Sequence, residues 1–217
     1  MAKTKTMTKN QTANRVLDEH GRTFSEELGI DLEKNTPSML FRWMTFSLLA
    51  SARIDWSKAI EAAEALRKAG WTTAQKMADA TWQERVDVLN RSGYARYDES
   101  TSRMLHDACD LLLEEYDGDL RRLRDEANRD PAEERRRLKE LKGVGDVGVD
   151  IFFREAQVAW DELHPFADKR ALKAAKRLNL GDDASELAKL VEEKDFSRLI
   201  AGLVRVDLED AYEEAAA

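Results

Sequence analysis

The sequence predicts an all-α fold, and three observations carry that expectation. Few segments alternate apolar and polar residues with period two. Apolar residues recur instead at three- and four-residue steps. Only ten glycines and three prolines punctuate 217 residues.

The elements follow in order. Residues 1–12 are basic and are expected to fray. A first helix is predicted over Thr12–Glu27, stopping near Gly29. Pro37 opens a second, apolar nearly all round (Leu40, Trp43, Met44, Phe46, Leu48), which is therefore expected at the centre. Helices follow over Ser57–Ala69, Thr73–Ala80, Thr81–Arg91, Ser100–Tyr116 and Asp119–Ala127, most of them closed by glycine. Asp130-Pro131 starts another that runs to Leu141, and after a glycine turn Asp146–Glu162 is helical until Pro165 breaks it. Helices over Asp168–Arg177, Ala184–Glu193, Asp195–Leu203 and Leu208–Ala217 close the chain.

Composition excludes several classes. Charged residues at 36% and hydrophobic ones at 42% give a soluble globular balance. The longest uncharged apolar stretch, Trp43–Ala52, is too short to span a bilayer, and the N-terminus lacks the apolar segment of a secretory signal, so a cytoplasmic protein with no membrane partner is expected. A single cysteine, Cys109, rules out a disulfide framework and a four-cysteine iron–sulfur cluster, and His20, His106 and His164 are too scattered to argue for a metal site. Net charge is −8, which excludes a uniformly basic coat for nucleic acid. From Asp182 onward, however, eleven acids and four bases sum to −7, leaving residues 1–181 at −1 with their positive charge in local clusters. The acidic C-terminal region is expected to lower nonspecific affinity for DNA.

The most informative stretch runs from Leu138 to Ile151, LKELKGVGDVGVDI. Leu138 and Leu141 finish one helix, Gly143-Val144-Gly145 makes a tight turn, and Gly148 sits early in the next helix. Glycines let another backbone approach, and the N–H groups of a helix N-terminus favour an anion, so such a turn can hold one phosphate without reading sequence. The bland alternative is a helical corner with a glycine turn. Downstream lie Pro165 and Asp168, then Arg177-Leu178-Asn179-Leu180. Asp168 is also a good helix N-cap.

With the hairpin, Pro165 and Asp168 in this order, the chain resembles the helix-hairpin-helix (HhH-GPD) DNA glycosylase superfamily, the endonuclease-III-like group. Leu48-Leu49-Ala50-Ser51-Ala52-Arg53 is similar to that family's L-L-S-A-Q segment, and Arg177–Leu180 to its R-L-G-L ending. The resemblance covers about residues 35–180. It implies two helical lobes: a six-helix barrel over 35–162 containing the hairpin, and a lobe built from 1–34 and 163–217. It further implies a monomer, associated with the nucleoid, that binds double-stranded DNA containing a damaged base. The base is flipped into the cleft, and Asp168 assists cleavage of the N-glycosidic bond.

The resemblance also places the departures. Bifunctional members carry a lysine where this chain has Val147, which cannot form an imine, so a monofunctional enzyme is expected. No glutamate lies between Trp43 and Arg53, against an adenine-mismatch substrate, and the four cluster cysteines are missing. No cofactor is implied beyond a monovalent cation at the hairpin. The DNA-binding candidates are Gly143, Val144, Gly145, Lys142, Arg53, Lys169, Arg170 and Lys173. Arg53 either fills the gap left by the flipped base or pairs with Asp55. The run Lys169, Arg170, Lys173, Lys176, Arg177 is either a solvated face or a phosphate-binding one. Asp146 beside the turn would repel a phosphate unless it caps the helix. Trp43, Phe46, Tyr94 and His164 are candidates for the base pocket, against the default that such aromatics are core. The competing functions are a noncatalytic DNA-structure binder of the same fold and an acidic helical interaction protein.

Overall fold

The computed structural model describes residues 7–216, and every regular element among them is helical. Residues 1–6 of the expected frayed segment lie outside the described residues. The rest of that segment is ordered. The Thr8 hydroxyl accepts from Gln11 N while the Gln11 side chain accepts from Thr8 N, a reciprocal cap that starts α1 (Lys9–His20).

The predicted helix over Thr12–Glu27 is two helices. Thr23 starts α2 (Phe24–Glu27) by accepting from Glu26 N, and the buried Glu155 carboxylate takes Phe24 N and Ser25 N at 3.0 and 2.8 Å. Those N–H groups are thereby satisfied without a continuous helix. α3 (Pro37–Ala50) opens at Pro37 as expected and is the central helix, with nine of its fourteen residues buried. α4 (Trp56–Lys68), α5 (Ala74–Asp79), α6 (Trp82–Leu89), α7 (Asp98–Tyr116), α8 (Leu120–Glu126) and α9 (Pro131–Leu138) follow.

α10 (Asp146–Ala156) is shorter than predicted. Gln157 folds back so that its side-chain amide donates to the Arg154 and Phe166 carbonyls and accepts from Phe166 N. α11 (Lys169–Arg177) ends with Asn179 at φ +56°, a left-handed conformation that asparagine tolerates. α12 (Ala184–Ala188) stops five residues short of the predicted Glu193. The break predicted after Leu203 is absent, because α13 (Glu193–Glu209) keeps Leu199, Ile200, Leu203, Val204 and Val206 buried through it. The short α14 (Tyr212–Ala216) follows.

The two chain ends meet. α1 packs on α13, α13 on α11 and α10, and α10 on α3, all around one apolar core. The α1–α13 crossing is close at Gly202, where a Cβ would lie 2.9 Å from Val16 Cγ1 and 3.1 Å from the Val16 carbonyl. No described helix is long and apolar enough to cross a membrane.

One buried acid stands outside this apolar logic. Glu134, on α9, is fully buried beside Glu162, and the Arg124 guanidinium grips Glu162 with two nitrogens. Burial, then the neighbouring Glu162, raises the Glu134 carboxyl to about 8. Burial also opposes ionisation of Glu162, but the Arg124 guanidinium holds it well below the ordinary range.

Two outcomes follow from this packing. Gly202→Ala drives a methyl into α1 backbone and lowers unfolding free energy by about 1–3 kcal/mol in urea denaturation. The raised Glu134 gives stability that is complete below about pH 4.3, the unfolded value, and is lost as pH rises through about 8. Glu134→Gln cannot lose that proton, so its urea midpoint relative to the unsubstituted protein rises between pH 5 and pH 9. An unchanged difference across that range would show that Glu134 is ionised throughout.

Candidate nucleic-acid interface and its cavity

The hairpin between α9 and α10 is built from inside outward. Leu138, Leu141 and Val144 are buried and anchor it. Gly143 sits at φ +87°, with Met104 side-chain atoms 3.0 Å and Leu48 Cδ1 3.2 Å from where a Cβ would be, so both its conformation and its surroundings demand glycine. Gly145 has an ordinary φ of −96° and nothing within 4 Å of a Cβ, leaving the outer side of the turn open. Gly145 gives α10 no side-chain cap, so the first-turn N–H groups keep the positive end of the helix dipole available to an anion.

Asp146 does not cap α10. It pairs with Lys139 at 2.8 Å and with Arg135 at 3.8 Å, and the Lys139 hydrogen bond holds its carboxyl below the ordinary range. The acid beside the turn is thus countered by bases from α9 and its C-terminal turn.

Next to the hairpin lies a cavity of about 540 Å³. The end of α3 and the segment to α4 bring Arg53 and Trp56, and α10 brings Val147, Asp150 and Arg154. The start of α11 brings Asp168, Lys169 and Arg170, while Phe24 and Phe46 add aromatic surface. Phe24 sits 6.1 Å from Phe46 in a stacked arrangement and 5.8 Å edge-on to Trp56, ring centroid to centroid. Val147 is 58% exposed at the cavity edge.

Asp168 is 5% exposed. Its Oδ1 accepts from Arg170 N at 2.8 Å and Ala171 N at 3.1 Å, capping α11, and its Oδ2 accepts from Arg154 Nε at 2.5 Å. The cap and the cavity position are therefore both realised. A carboxylate has about four acceptor positions, so these three bonds leave it capacity for one more donor.

Of the residues singled out by sequence, the structure brings Asp168, Arg53, Phe46, Lys169 and Arg170 to this cavity, with Gly143–Gly145 and the exposed Lys142 beside it on the hairpin. Arg53 makes no ion pair with Asp55, whose carboxylate instead accepts from Ser57 N at 2.9 Å. Trp43, Tyr94 and His164 do not line it. Trp43 is buried, donating its indole N–H to the Phe152 carbonyl at 3.0 Å. Tyr94 is buried, donating to the Leu49 carbonyl at 2.8 Å, and burial pushes its phenol up to about 12. His164 packs edge-on against Phe196 in a separate hollow. Lys173 faces away, held by Asp207 at 2.8 Å.

Sequence reasoning missed Arg154, Phe24 and Trp56. A signal for Arg154 existed: Val147, Asp150, Ile151 and Arg154 recur at helical spacing and share the cavity-facing side of α10. Phe24 and Trp56 arrive from distant segments and have no local signature.

An all-α chain with a glycine hairpin opening one helix and an aspartate capping the next is the arrangement that the resemblance to the helix-hairpin-helix glycosylases implied for the fold. Solved structures bear this out. The chain is similar to endonuclease III in a trapped covalent DNA intermediate (TM-score 0.52, 17% identity, 92% of this chain and 86% of that one). It is similar to endonuclease III in a non-covalent DNA complex (TM-score 0.53, 17%, with 92% and 86% covered). It also resembles the H. pylori 3-methyladenine DNA glycosylase bound to 1,N6-ethenoadenine (TM-score 0.55, 16%, 87% of this chain and 98% of that one). At these identities the likeness carries the fold. No family model matches the sequence, and no curated protein matches it.

The two hairpin glycines separate folding from access. Gly143→Ala places a side chain in the left-handed region against Met104 and costs about 1–3 kcal/mol of stability. Gly145→Ala, in open space, leaves the thermal midpoint within about a degree or two. Equal losses for the two would contradict the geometry.

Proposed function

We propose that this chain is a DNA N-glycosylase of base-excision repair, which seats a flipped damaged base in the cavity and hydrolyses its N-glycosidic bond. The observation that carries this reading is Asp168: a buried carboxylate on the wall of a 540 Å³ cavity, capping a helix beside an open glycine hairpin. The glycosylase fold of the neighbouring structures supports it.

Losing a base leaves positive charge on the sugar. A fixed carboxylate facing that carbon stabilises the charge as it develops and orients the attacking water. Arg154 and the α11 N–H groups hold the carboxylate in one orientation, so little reorganisation accompanies the reaction. On this reading the hairpin N–H groups take one backbone phosphate, with Lys142, Lys169 and Arg170 adding charge. Val147 offers no amine, so the enzyme is read as monofunctional, a monomer acting on double-stranded DNA with no iron–sulfur cluster. Lys169 is read as a phosphate contact. The division into a barrel over 35–162 and a lobe from both chain ends belongs to the same proposal, with the cavity between them. A noncatalytic DNA binder draws on one observation, that both Asp168 oxygens are already engaged.

The decisive experiment uses Asp168→Asn on duplexes carrying single lesions. Asparagine keeps the helix cap but not the charge. Abasic product is expected to fall by about 10²–10³-fold while duplex binding stays within a few-fold, with the melting temperature recorded alongside because Arg154 loses its partner. Unchanged cleavage would remove Asp168 from the mechanism. High-yield borohydride trapping of a protein–DNA adduct would contradict the monofunctional assignment. Failure to bind any duplex at low salt would reject the DNA reading altogether.

A further inference from the structure

The reaction as proposed leaves one buried charge with spare capacity. Arg154 is 6% exposed, and of its side-chain nitrogens only Nε is engaged, by Asp168. Among the described residues neither Nη group has a hydrogen-bond partner. Neither is sealed from solvent, and the space Arg154 lines is the cavity. A guanidinium that is more than nine-tenths buried, with two free N–H₂ groups turned to a cavity, calls for acceptor oxygens on whatever occupies that cavity.

The rest of the wall sets the shape and field. The half-buried Trp56 supplies aromatic surface to a flat ring, with the buried Phe24 and Phe46 behind it, and the Phe24 ring has Arg205 at 4.2 Å and Arg154 at 6.0 Å from its centroid. Two of the cavity acids are ion-paired, Asp168 with Arg154 and Asp150 with Arg135 at 2.6 Å, while Asp55 accepts only from the neutral Ser57 N. Arg53 and Lys169 make no ion pair among the described residues. With Arg53, Arg154, Lys169 and Arg170 facing Asp55, Asp150 and Asp168, bases outnumber acids on the wall.

We propose that Arg154 reads the flipped base through its two Nη groups, and that the substrates are deaminated bases, in which a carbonyl oxygen stands where the normal base has an amino group. A guanidinium only donates. It donates to the carbonyl oxygens of uracil or hypoxanthine, whereas the amino groups of cytosine and adenine present donor to donor; guanine and thymine offer carbonyls too, but a deaminated base in a mispair leaves the stack at lower cost than a securely paired one. A cationic N-alkylated purine meets a wall on which bases outnumber acids. Selection comes from the repulsive element as much as from the new bonds. The inference rests on the glycosylase reading and names its substrate class.

The test is excision from duplexes carrying a single uracil, hypoxanthine or 7-methylguanine, with binding to a tetrahydrofuran abasic analogue measured in parallel. The unsubstituted protein is expected to release uracil or hypoxanthine at least about tenfold faster than 7-methylguanine. Arg154→Met also strips Asp168 of its partner and slows every substrate, so the readout is the ratio. Deaminated bases should lose about tenfold more than 7-methylguanine, with binding to the abasic analogue unchanged. Arg154→Lys keeps a charge beside Asp168 without the fork and should fall between; it serves alone if the methionine variant does not fold. Preferred release of 7-methylguanine overturns the inference while leaving the glycosylase reading intact. So does an equal loss on all bases, or a loss of abasic-analogue binding, which would make Arg154 a backbone contact. No excision of any base, with no lesion binding, overturns both.

Discussion

The buried ion pair between Arg154 and Asp168 is the constraint on which the arrangement of the cavity depends. Removing two charges from water is costly, and such a pair is rarely kept for stability alone. Here it joins the end of α10 to the start of α11, and the neighbouring residues of α10 make further ties. Glu155 accepts from Phe24 N and Ser25 N, the Arg154 carbonyl accepts from Ser197 Oγ, and Gln157 bonds both ways with Phe166. Three positions, 154, 155 and 157, thus hold the N-terminal segment, the loop before Asp168 and α13 against the helix that begins at the hairpin. Loss of Asp168 would leave Arg154 charged and unpaired in the interior, at a cost of about 3–5 kcal/mol, so the pair is as much a structural commitment as a chemical one.

Charge is distributed differently from what its position in the sequence suggests. The run from Lys169 to Arg177 contains no acid, but α13 and its C-terminal cap fold back over it: Asp207 meets Lys173 at 2.8 Å and Arg170 at 3.7 Å, and Asp210 meets Arg177 at 3.3 Å. The acidic C-terminal region is therefore packed structure, with Val204, Val206 and Tyr212 buried among its charges. Truncating it would expose core before it altered electrostatics. In the run itself Lys169 and Lys176 make no ion pair among the described residues, and Lys169 stands at the cavity with Arg53. Exposed pairs of the kind that hold Lys173 and Arg177 are weak enough for competing phosphates to exchange with them.

The sequence was legible where local physics decides structure. Pro37, the Asp130-Pro131 pair, the Gly143–Gly145 turn and the Asp168 cap each act within a few residues, and each stands where predicted. It failed where a distant group supplied what the local pattern lacked. The helix over Thr12–Glu27 breaks because Glu155, 131 residues from Phe24, satisfies the backbone of α2. Trp43 and Tyr94 look like pocket aromatics until the Phe152 and Leu49 carbonyls take their polar atoms and close them into the core. Arg154 escaped notice because an arginine ending a helix usually faces solvent; its burial comes from Asp168 and Phe24, which no window of sequence shows together.

α10 gives these observations a common geometry. Its N-terminus carries the open turn at Gly145, and its last turn carries Arg154 with Asp168 beyond it. Val147, Asp150 and Arg154 face the cavity from the side between. At 1.5 Å per residue, Gly145 and Arg154 are about 13 Å apart along one continuous helix, with no glycine after Gly148 and no proline to bend it. A phosphate held at the turn and a carboxylate held by Arg154 are thus separated by a rigid spacer rather than by a loop, and positions fixed on one helix drift less than positions on two. Gly148 faces α3: a Cβ there would lie 3.7 Å from the Ser47 carbonyl and 3.4 Å from Val144 Cγ1, ordinary contact distances, so the spacer lies against α3 with room for no more than a small side chain.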